Sequence, residues 1–168
     1  MKTIGLFYCA GRATSVIVEK LKAAFGDATI ELVRIETVQK SNFEAYDNII
    51  LGVSTWFDGE LPACWDEVVP ELKTIDMHKK RVAIFGLGDQ QNYAENFVDG
   101  IGILAGIVEA NGAKLVGQTA IEAYAFGKSA AVSGNRFLGL ALDVDNQSNK
   151  TDERITKWVE QLKKEWEP

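Results

Sequence analysis

The chain has 168 residues, 46% of them hydrophobic and 25% charged, and its formal net charge is −6. This length fits a single domain with a full core, over residues 1–168. The acidic balance argues against a nucleic-acid-binding protein, which would present a basic face. No apolar run approaches the roughly 18 residues of a transmembrane helix, and the first residues show no signal-peptide core. We therefore expect a cytoplasmic protein.

Cysteine and histidine are too few for the common metal and nucleophile sites. Cys9 and Cys64 form neither a metal-binding nor a redox motif, and His78, the single histidine, lies in a polar turn. These residues argue against a zinc site and against a Ser–His–Asp triad. We expect Cys9 to be a small packed residue rather than a redox thiol, and His78 to be solvated.

Strand-like and helix-like patterns alternate along the chain. Ser15 and Thr151 are expected to cap the first and last helices, and Gly112 to end the helix before the last strand. Strands are predicted at 4–8, 30–35, 48–53 and 81–85, with a fifth that starts at 114–117 and resumes at 137–142. Helices are predicted at 15–25, 62–72, 96–111 and 152–166, with a short helical turn at 42–46.

This alternation predicts an α/β fold, a three-layer sandwich with a five-stranded parallel sheet and right-handed crossovers. A G-x-G-x-x-A match at 100–105 lies within a helical pattern, so it does not predict a dinucleotide site. The sequence has no G-x-x-x-x-G-K-[ST] loop and no nucleophile paired with a base. Any chemistry would therefore depend on a cofactor.

The loops after strands one, three and four, at 9–14, 54–61 and 87–95, are expected at one edge of the sheet. Trp56 and Tyr93 lie in two of them and can clamp a planar ring, a contact worth about 0.5–1.5 kcal/mol beyond area burial. Alternatively, Trp56 covers the core, since tryptophan is usually mostly buried. The carboxylates around these loops form either an acidic face or only a solvated rim; they are Asp58, Glu60, Asp66, Glu67, Asp89, Glu95 and Asp99.

Four motifs give the chain a family resemblance over essentially its whole length. They are IGLFY at 4–8, TWFDGEL at 55–61, FGLGDQ at 85–90 with Tyr93, Asn96 and Phe97 after it, and GLALDVDNQ at 139–147. With these motifs the chain resembles the long-chain flavodoxins. The resemblance implies the strand order 2-1-3-4-5, an insertion that splits strand five between Gly117 and Phe137, and FMN at the ends of strands one and three.

The resemblance also implies a set of cofactor-binding residues, with no catalytic residue and no metal ligand. Trp56 and Tyr93 would flank the flavin ring, and backbone groups at 56–59 and 87–89 would bond its polar edge. The full set is Ala10, Gly11, Arg12, Ala13, Thr14, Ser15, Ser54, Thr55, Trp56, Phe57, Asp58, Gly59, Leu87, Gly88, Asp89, Tyr93, Asn96, Val98 and Asp145.

The phosphate loop departs from the family pattern Thr/Ser-x-Thr-Gly-x-Thr. At 10–15 the chain reads AGRATS, so Ser15 keeps its hydroxyl position, Ala13 replaces the glycine, and Thr14 adds a hydroxyl one position early. Phosphate at a helix N-terminus binds mostly through backbone N–H groups, and Arg12 can add a charge-assisted contact. The alternative is a weak phosphate site in which Arg12 points to solvent.

The resemblance implies a low-potential one-electron carrier rather than an enzyme. It would accept electrons from a flavin reductase resembling ferredoxin–NADP reductase and pass them to an acceptor enzyme, meeting both through the acidic face as a monomer. We expect that Gly59 lets the Asp58–Gly59 peptide flip, so that the Asp58 carbonyl meets a protonated flavin nitrogen. The alternatives are a flavodoxin-like regulatory module that has weakened or lost FMN binding, and a small flavin-dependent reductase.

Overall fold

The computed structural model describes residues 3–26 and 29–167. Helices and strands alternate, as the sequence predicts. The strands are β1 (Ile4–Tyr8), β2 (Ile30–Arg34), β3 (Asn48–Ser54), β4 (Arg81–Leu87), β5 (Lys114–Val116), β6 (Thr119–Ala120), β7 (Val132–Ser133), β8 (Arg136–Phe137) and β9 (Leu140–Leu142). The α-helices are α1 (Arg12–Phe25), α2 (Lys40–Glu44), α3 (Ala63–Leu72), α4 (Asp99–Ala110) and α5 (Thr151–Glu165).

Within the described residues, the main sheet is parallel and has the order β2-β1-β3-β4-β5, which confirms the predicted order. Its fifth position is shared by two segments. β5 pairs with β4 from Arg81 to Ala83, and β9 pairs with β4 from Phe85 to Leu87. The sheet therefore counts six strands rather than five, because an insertion divides the outer one.

Two hydrophobic clusters lie on opposite faces of the sheet, because successive strand residues point to opposite sides. On β1, Phe7 belongs to one cluster and Leu6 to the other. Each cluster contains a fully buried tryptophan whose Nε1–H donates to a backbone carbonyl, Trp65 to Gly52 at 3.0 Å and Trp158 to Gly117 at 2.8 Å. The helices thus cover both faces of the sheet, as expected for the three-layer sandwich.

The insertion between β5 and β9 forms a small antiparallel sheet with the order β6-β8-β7. The sequence predicts that the fifth strand resumes at residue 137, but Phe137 instead belongs to β8, and β9 starts at Leu140. The Phe137 ring is fully buried and packs against Phe97 and Tyr124, with ring centroids 6.0 and 5.0 Å away. This aromatic cluster attaches the insertion to the segment that precedes α4.

Several helix starts differ from the prediction. α4 begins at Asp99 rather than at residue 96, and α2 begins at Lys40 rather than at residue 42. α1 begins at Arg12 rather than Ser15, and Gly11 is its N-cap. The Ser15 N–H donates to the Gly11 carbonyl at 2.8 Å, so Ser15 closes the first turn instead of capping it. Thr151 is likewise the first residue of α5, and Lys150 is its N-cap. No helix of the described residues has the length and apolar character needed to cross a membrane.

Candidate functional site

Three neighbouring strands end at the same edge of the sheet and deliver the three candidate loops there. β1 and β3 are paired, with Tyr8 opposite Gly52, and β3 and β4 are paired, with Ser54 opposite Leu87. The loops that follow Tyr8, Ser54 and Leu87 therefore emerge side by side. This confirms that the predicted loops share one edge, although the first is shorter than expected because α1 begins early.

The loop after β1 presents backbone donors at the N-terminus of a 14-residue helix. Ala10, Gly11, Arg12 and Ala13 are exposed. The Ala10 N–H donates to Glu36 Oε1 at 2.8 Å, whereas the N–H groups of Gly11, Arg12 and Ala13 find no acceptor in the part of the chain that the structure describes. Free N–H groups and the positive end of the helix dipole favour an anion here.

The two hydroxyls of this loop point to different surroundings. Thr14 is 4% exposed, and its Oγ1 lies 3.3 Å from Ser54 Oγ at the end of β3. Ser15 instead lines a shallow surface depression formed by other α1 residues, among them Val16 and Glu19. The hydroxyl that contacts the neighbouring strand end is thus that of Thr14, whereas Ser15 is half-buried on α1.

The loop after β3 is a tight turn that presents Trp56. The Trp56 and Glu60 backbones exchange two hydrogen bonds, of 2.8 and 2.7 Å. Trp56 is 44% exposed and Phe57 72% exposed, with the two rings edge to face at 6.3 Å. Trp56 therefore does not serve mainly to cover the core. Thr55 has a different role, because its Oγ1 accepts the Gly100 N–H at 2.9 Å and so fixes the start of α4 to this loop.

Gly59 lies against the start of α4 with a positive φ of 88°. A Cβ at this position would lie 2.5 Å from Asp99 Oδ2 and 3.2 Å from Asn96 Cβ. Asp99 Oδ1 accepts the Ala130 N–H at 2.7 Å, which joins the insertion to the same region. Burial raises the pKa of Asp99, opposed by that hydrogen bond and by Lys128. Asp58 beside it is exposed.

The loop after β4 is held by Asp89, and this loop presents Tyr93, which is 55% exposed. Asp89 Oδ1 accepts the N–H groups of Gln91 and Asn92 at 3.0 and 2.9 Å. Hydrogen bonds from the Asn92 backbone and from Asn146, together with others in the turn, lower the pKa of Asp89 to about 2 despite partial desolvation. Asp89 is therefore an ionised carboxylate that fixes the turn before Tyr93.

A buried carboxylate links this loop to the loop after β9. Asp143 is fully buried, and its Oδ2 accepts both the backbone N–H of Gln90 at 3.1 Å and Gln90 Nε2 at 2.7 Å. Asn146 Nδ2 donates to Asp143 Oδ2 at 2.9 Å and to Asp89 Oδ1 at 2.8 Å. The predicted Asp145 is exposed beside this network. Gln90, Asp143 and Asn146 were not predicted as site residues, although Gln90 ends the FGLGDQ motif and Asp143 and Asn146 lie in the DVDNQ motif.

The remaining predicted residues lie beneath the loops. Leu87 is 7% exposed, Gly88 and Asn96 are half-buried, and Val98 is fully buried with a φ of 49°. A Cβ on Gly88 would approach Val98 Cγ1 to 2.9 Å, so Val98 packs directly under Gly88. The Val98 side chain therefore belongs to the core. The Gly88 N–H donates to the Leu142 carbonyl at 3.0 Å and the Leu87 carbonyl accepts the Thr55 N–H at 3.4 Å, so these backbone groups join β4 to its neighbours.

Cys9 and Cys64 are joined by a disulfide. The expectation that Cys9 is simply a small packed residue is therefore wrong. The two cysteines are 55 residues apart in sequence, and no spacing motif marks the pair. The fold brings them together because Cys9 directly follows β1 and Cys64 lies in the first turn of α3. His78, by contrast, is exposed as predicted and pairs with Asp76, its Nδ1 2.6 Å from Asp76 Oδ1.

The acidic residues around the site fall into two groups. Asp89 and Asp99 are half-buried and accept backbone hydrogen bonds. The other five, Asp58, Glu60, Asp66, Glu67 and Glu95, are exposed. No cluster of histidine, cysteine and carboxylate groups suited to a metal ion occurs in residues 3–26 and 29–167.

Comparison with known proteins identifies similar chains over the whole length. A family described as flavodoxin matches residues 10–158. A flavodoxin of Synechococcus elongatus is 41% identical over 168 residues, which cover 99% of both chains. Flavodoxin 1 of Escherichia coli is 37% identical over 98% of this chain and 95% of that protein. The crystal structure of Fusobacterium nucleatum flavodoxin bound to flavin mononucleotide is 35% identical, covers 99% of this chain and 100% of that one, and has a TM-score of 0.94.

Proposed function

Since the chain belongs to the flavodoxin family, we propose that it is a low-potential one-electron carrier that holds FMN without a covalent bond, and that it is not an enzyme. One observation supports the cofactor most directly. The exposed aromatic rings of Trp56 and Tyr93 and the donor-rich start of α1 lie on loops from adjacent strands. A planar ring and a phosphate, the two ends of FMN, need these two kinds of partner.

The phosphate end fits the start of α1. The N–H groups of Gly11, Arg12 and Ala13 are free donors there, and the hydroxyls of Thr14 and Ser54 lie beside each other. The exposed Arg12 guanidinium adds positive charge and can make a charge-assisted hydrogen bond to a phosphate oxygen. We therefore assign phosphate binding to backbone donors, two hydroxyls and Arg12, which replace the hydroxyl-rich pattern of the family.

The ring end fits the other two loops. Bound FMN supplies one-electron redox chemistry, while the protein orients the ring and sets its environment. Trp56 and Tyr93 would flank the ring, Phe57 packs on Trp56, and those backbone groups at 56–59 and 87–89 that are not paired within the protein would bond the polar edge. Leu87, Gly88 and Val98, which pack together beneath the loop after β4, would support that edge. Asn96 and Asp145 would lie near the ribityl chain, and Thr55 and Asp89 hold the loops in place by hydrogen bonds to backbone N–H groups.

The protein environment also sets which redox states are favoured. Exposed carboxylates surround the site, and they disfavour extra negative charge on a reduced ring. The positive φ of Gly59 allows the Asp58–Gly59 peptide to reorient, and the Asp58 carbonyl oxygen would then be available to accept a hydrogen bond from a bound flavin. The first one-electron reduction is thereby favoured relative to the second.

The negative charge of the protein indicates which kind of partner surface it meets. Five exposed carboxylates lie in the Trp56 loop, on α3 and beside Tyr93 in sequence, on a chain of net charge −6, and we infer that they form an acidic face. Such a face steers basic surfaces by long-range attraction and speeds association. The partners assigned are a reductase resembling ferredoxin–NADP reductase and a redox acceptor enzyme, both reached by a monomer in the cytoplasm.

A redox titration of the FMN-loaded protein tests this function. Spectra recorded against a series of mediator potentials should show two well-separated one-electron steps. Electron transfer from a basic reductase should slow as ionic strength rises, because salt screens the acidic face. Consumption of NADPH by the flavoprotein without any reductase would instead indicate a reductase. An apoprotein that binds no flavin would indicate a regulatory module.

A further inference from the structure

The Cys9–Cys64 disulfide joins two of the loops that form the cofactor site. Cys9 lies between β1 and Ala10, and the free N–H groups begin two residues later at Gly11. Cys64 lies in the first turn of α3, four residues after Glu60, which pairs with Trp56. The two Cα atoms are 6.1 Å apart, within the usual range for disulfides. The bond thus ties the phosphate loop to the base of the Trp56 loop.

Among the described residues, the phosphate loop has few other anchors on this side. Beyond β1 it is held by the hydrogen bond from Ala10 N–H to Glu36 Oε1, which is exposed, and by the Thr14–Ser54 hydroxyl contact. The Gly11 cap makes no side-chain hydrogen bond. A covalent bond to α3 therefore restricts the positions that the backbone donors can take. A loop held in place binds its ligand more tightly than one that must first be ordered.

The sulfur atoms are placed for reversible exchange. Both cysteines are half-buried at the surface edge of the core, so neither is sealed in the interior. Disulfides in the cytoplasm, the compartment proposed for this protein, are usually transient or redox-sensing because thiol systems reduce them. Cys64 lies in the N-terminal turn of α3, where the helix dipole favours a leaving thiolate.

We propose that Cys9 and Cys64 form a reversible thiol–disulfide site that controls how tightly the phosphate loop holds FMN. The reductant is a dithiol, either a small molecule or a dithiol protein. One of its thiolates attacks Cys9 Sγ, Cys64 leaves as a thiolate and takes a proton, and the second thiol of the reductant then releases Cys9. Two electrons and two protons pass to the cysteines, and the reductant leaves as a disulfide.

The proposal rests on the phosphate site assigned under the proposed function. The oxidised form holds the loop and binds FMN more tightly, whereas the reduced form lets the loop move and binds FMN more weakly. Riboflavin lacks the phosphate, so its affinity should be the same in both forms. Coupling is reciprocal, so bound FMN must make the disulfide harder to reduce by the same factor.

The first test measures FMN and riboflavin binding by tryptophan fluorescence in oxidised protein, in protein reduced with dithiothreitol, and in Cys9→Ser/Cys64→Ser. FMN affinity should fall about fivefold on reduction, the low end of common coupling between sites, and riboflavin affinity should not change. The double variant should bind FMN with the affinity of the reduced protein, and adding dithiothreitol should not change that affinity. This comparison controls for effects of the reductant on the flavin itself. If that variant fails to fold, the comparison of oxidised and reduced protein decides alone.

The second test equilibrates the protein with ratios of reduced to oxidised dithiothreitol, then counts free thiols by alkylation and mass. Saturating FMN should lower the reduction potential of the pair by about 20 mV, which is the fivefold change converted for two electrons. A pair that resists reduction in the native protein, or equal FMN affinity in both forms, would overturn the proposal. If FMN binds no better than riboflavin in either form, the assignment of the phosphate site is wrong, and the proposal that rests on it is wrong as well.

Discussion

Thr14 Oγ1 lies 3.3 Å from Ser54 Oγ, so a hydroxyl from the first turn of α1 meets a hydroxyl from the end of β3. The contact joins the phosphate loop to the strand that carries the Trp56 loop. One of these hydroxyls donates to the other, which leaves one O–H donor beside the free N–H groups of Gly11, Arg12 and Ala13. The altered loop therefore keeps a set of phosphate donors, although its hydroxyls differ from the family pattern.

Replacing the Thr14 hydroxyl should weaken FMN binding selectively. Thr14→Val keeps the buried shape but removes a donor, and a hydrogen bond to a charged group is worth about 1.5–3 kcal/mol. We expect FMN affinity to fall by roughly tenfold and riboflavin affinity to stay the same. Ser15→Val is the matched control, because Ser15 faces the surface of α1. If both variants lost the same amount of FMN affinity, the assignment of the phosphate contact to Thr14 rather than Ser15 would be wrong.

Removing either aromatic ring should weaken FMN and riboflavin alike, because both ligands carry the same ring. For Trp56→Ala and Tyr93→Ala we expect a loss of about 1–3 kcal/mol each, since stacking adds to the burial of apolar area. Val16→Ala removes a side chain that is 52% exposed on α1 and serves as the control. If Trp56→Ala bound both flavins as tightly as the unmodified protein, the Trp56 ring would not be part of the binding site.

Two glycines of α4 should respond in opposite ways to alanine. A methyl group added to Gly106 would have no neighbouring atom within 4 Å, so Gly106→Ala should stabilise the protein by about 0.5–1 kcal/mol through helix propensity. A methyl group on Gly102 would collide with the Ala130 backbone in the insertion, so Gly102→Ala should destabilise the protein by about 1–3 kcal/mol. Chemical denaturation measures both. Stabilisation by Gly102→Ala would mean that the insertion does not pack closely on α4.

Asp89 should contribute to the loss of folding stability at low pH. Its pKa is lowered from 3.8 to about 2 in the folded protein, so its stabilising effect is complete above about pH 4. That stabilisation should be lost as the pH falls from about 4 to 2. Asp89→Asn should therefore flatten the dependence of unfolding free energy on pH in this interval. An unchanged slope in Asp89→Asn would contradict the role of Asp89.

The sequence predicts the alternating architecture well because buried strands and amphipathic helices have clear periodicities. It predicts the start of α1 poorly. Ser15 has the better capping side chain, but Gly11 adopts the extended cap conformation, and Arg12 and Ala13 then continue into the helix. The capping preference of each residue does not show where the helix begins, because the position at which β1 ends also decides which residue becomes the N-cap.

Long-range contacts were the other features that sequence reasoning missed. The Cys9–Cys64 bond spans 55 residues, and the Gln90–Asp143 hydrogen bonds span 53. Neither pair shares a local motif, so only the order of strands places their members together. The small sheet of the insertion was missed for a related reason. Its strands contain two residues each, which is too short to show an alternation of hydrophobic and polar residues.

The most direct test of the central claim titrates the apoprotein with FMN and, separately, with riboflavin, following the quenching of tryptophan fluorescence. The proposed site predicts FMN binding well above riboflavin binding, and Arg12→Ala should reduce that preference while Lys22→Ala at the other end of α1 should not. Equal affinities for the two flavins in the unmodified protein would contradict the claim, because the loop would then hold no phosphate.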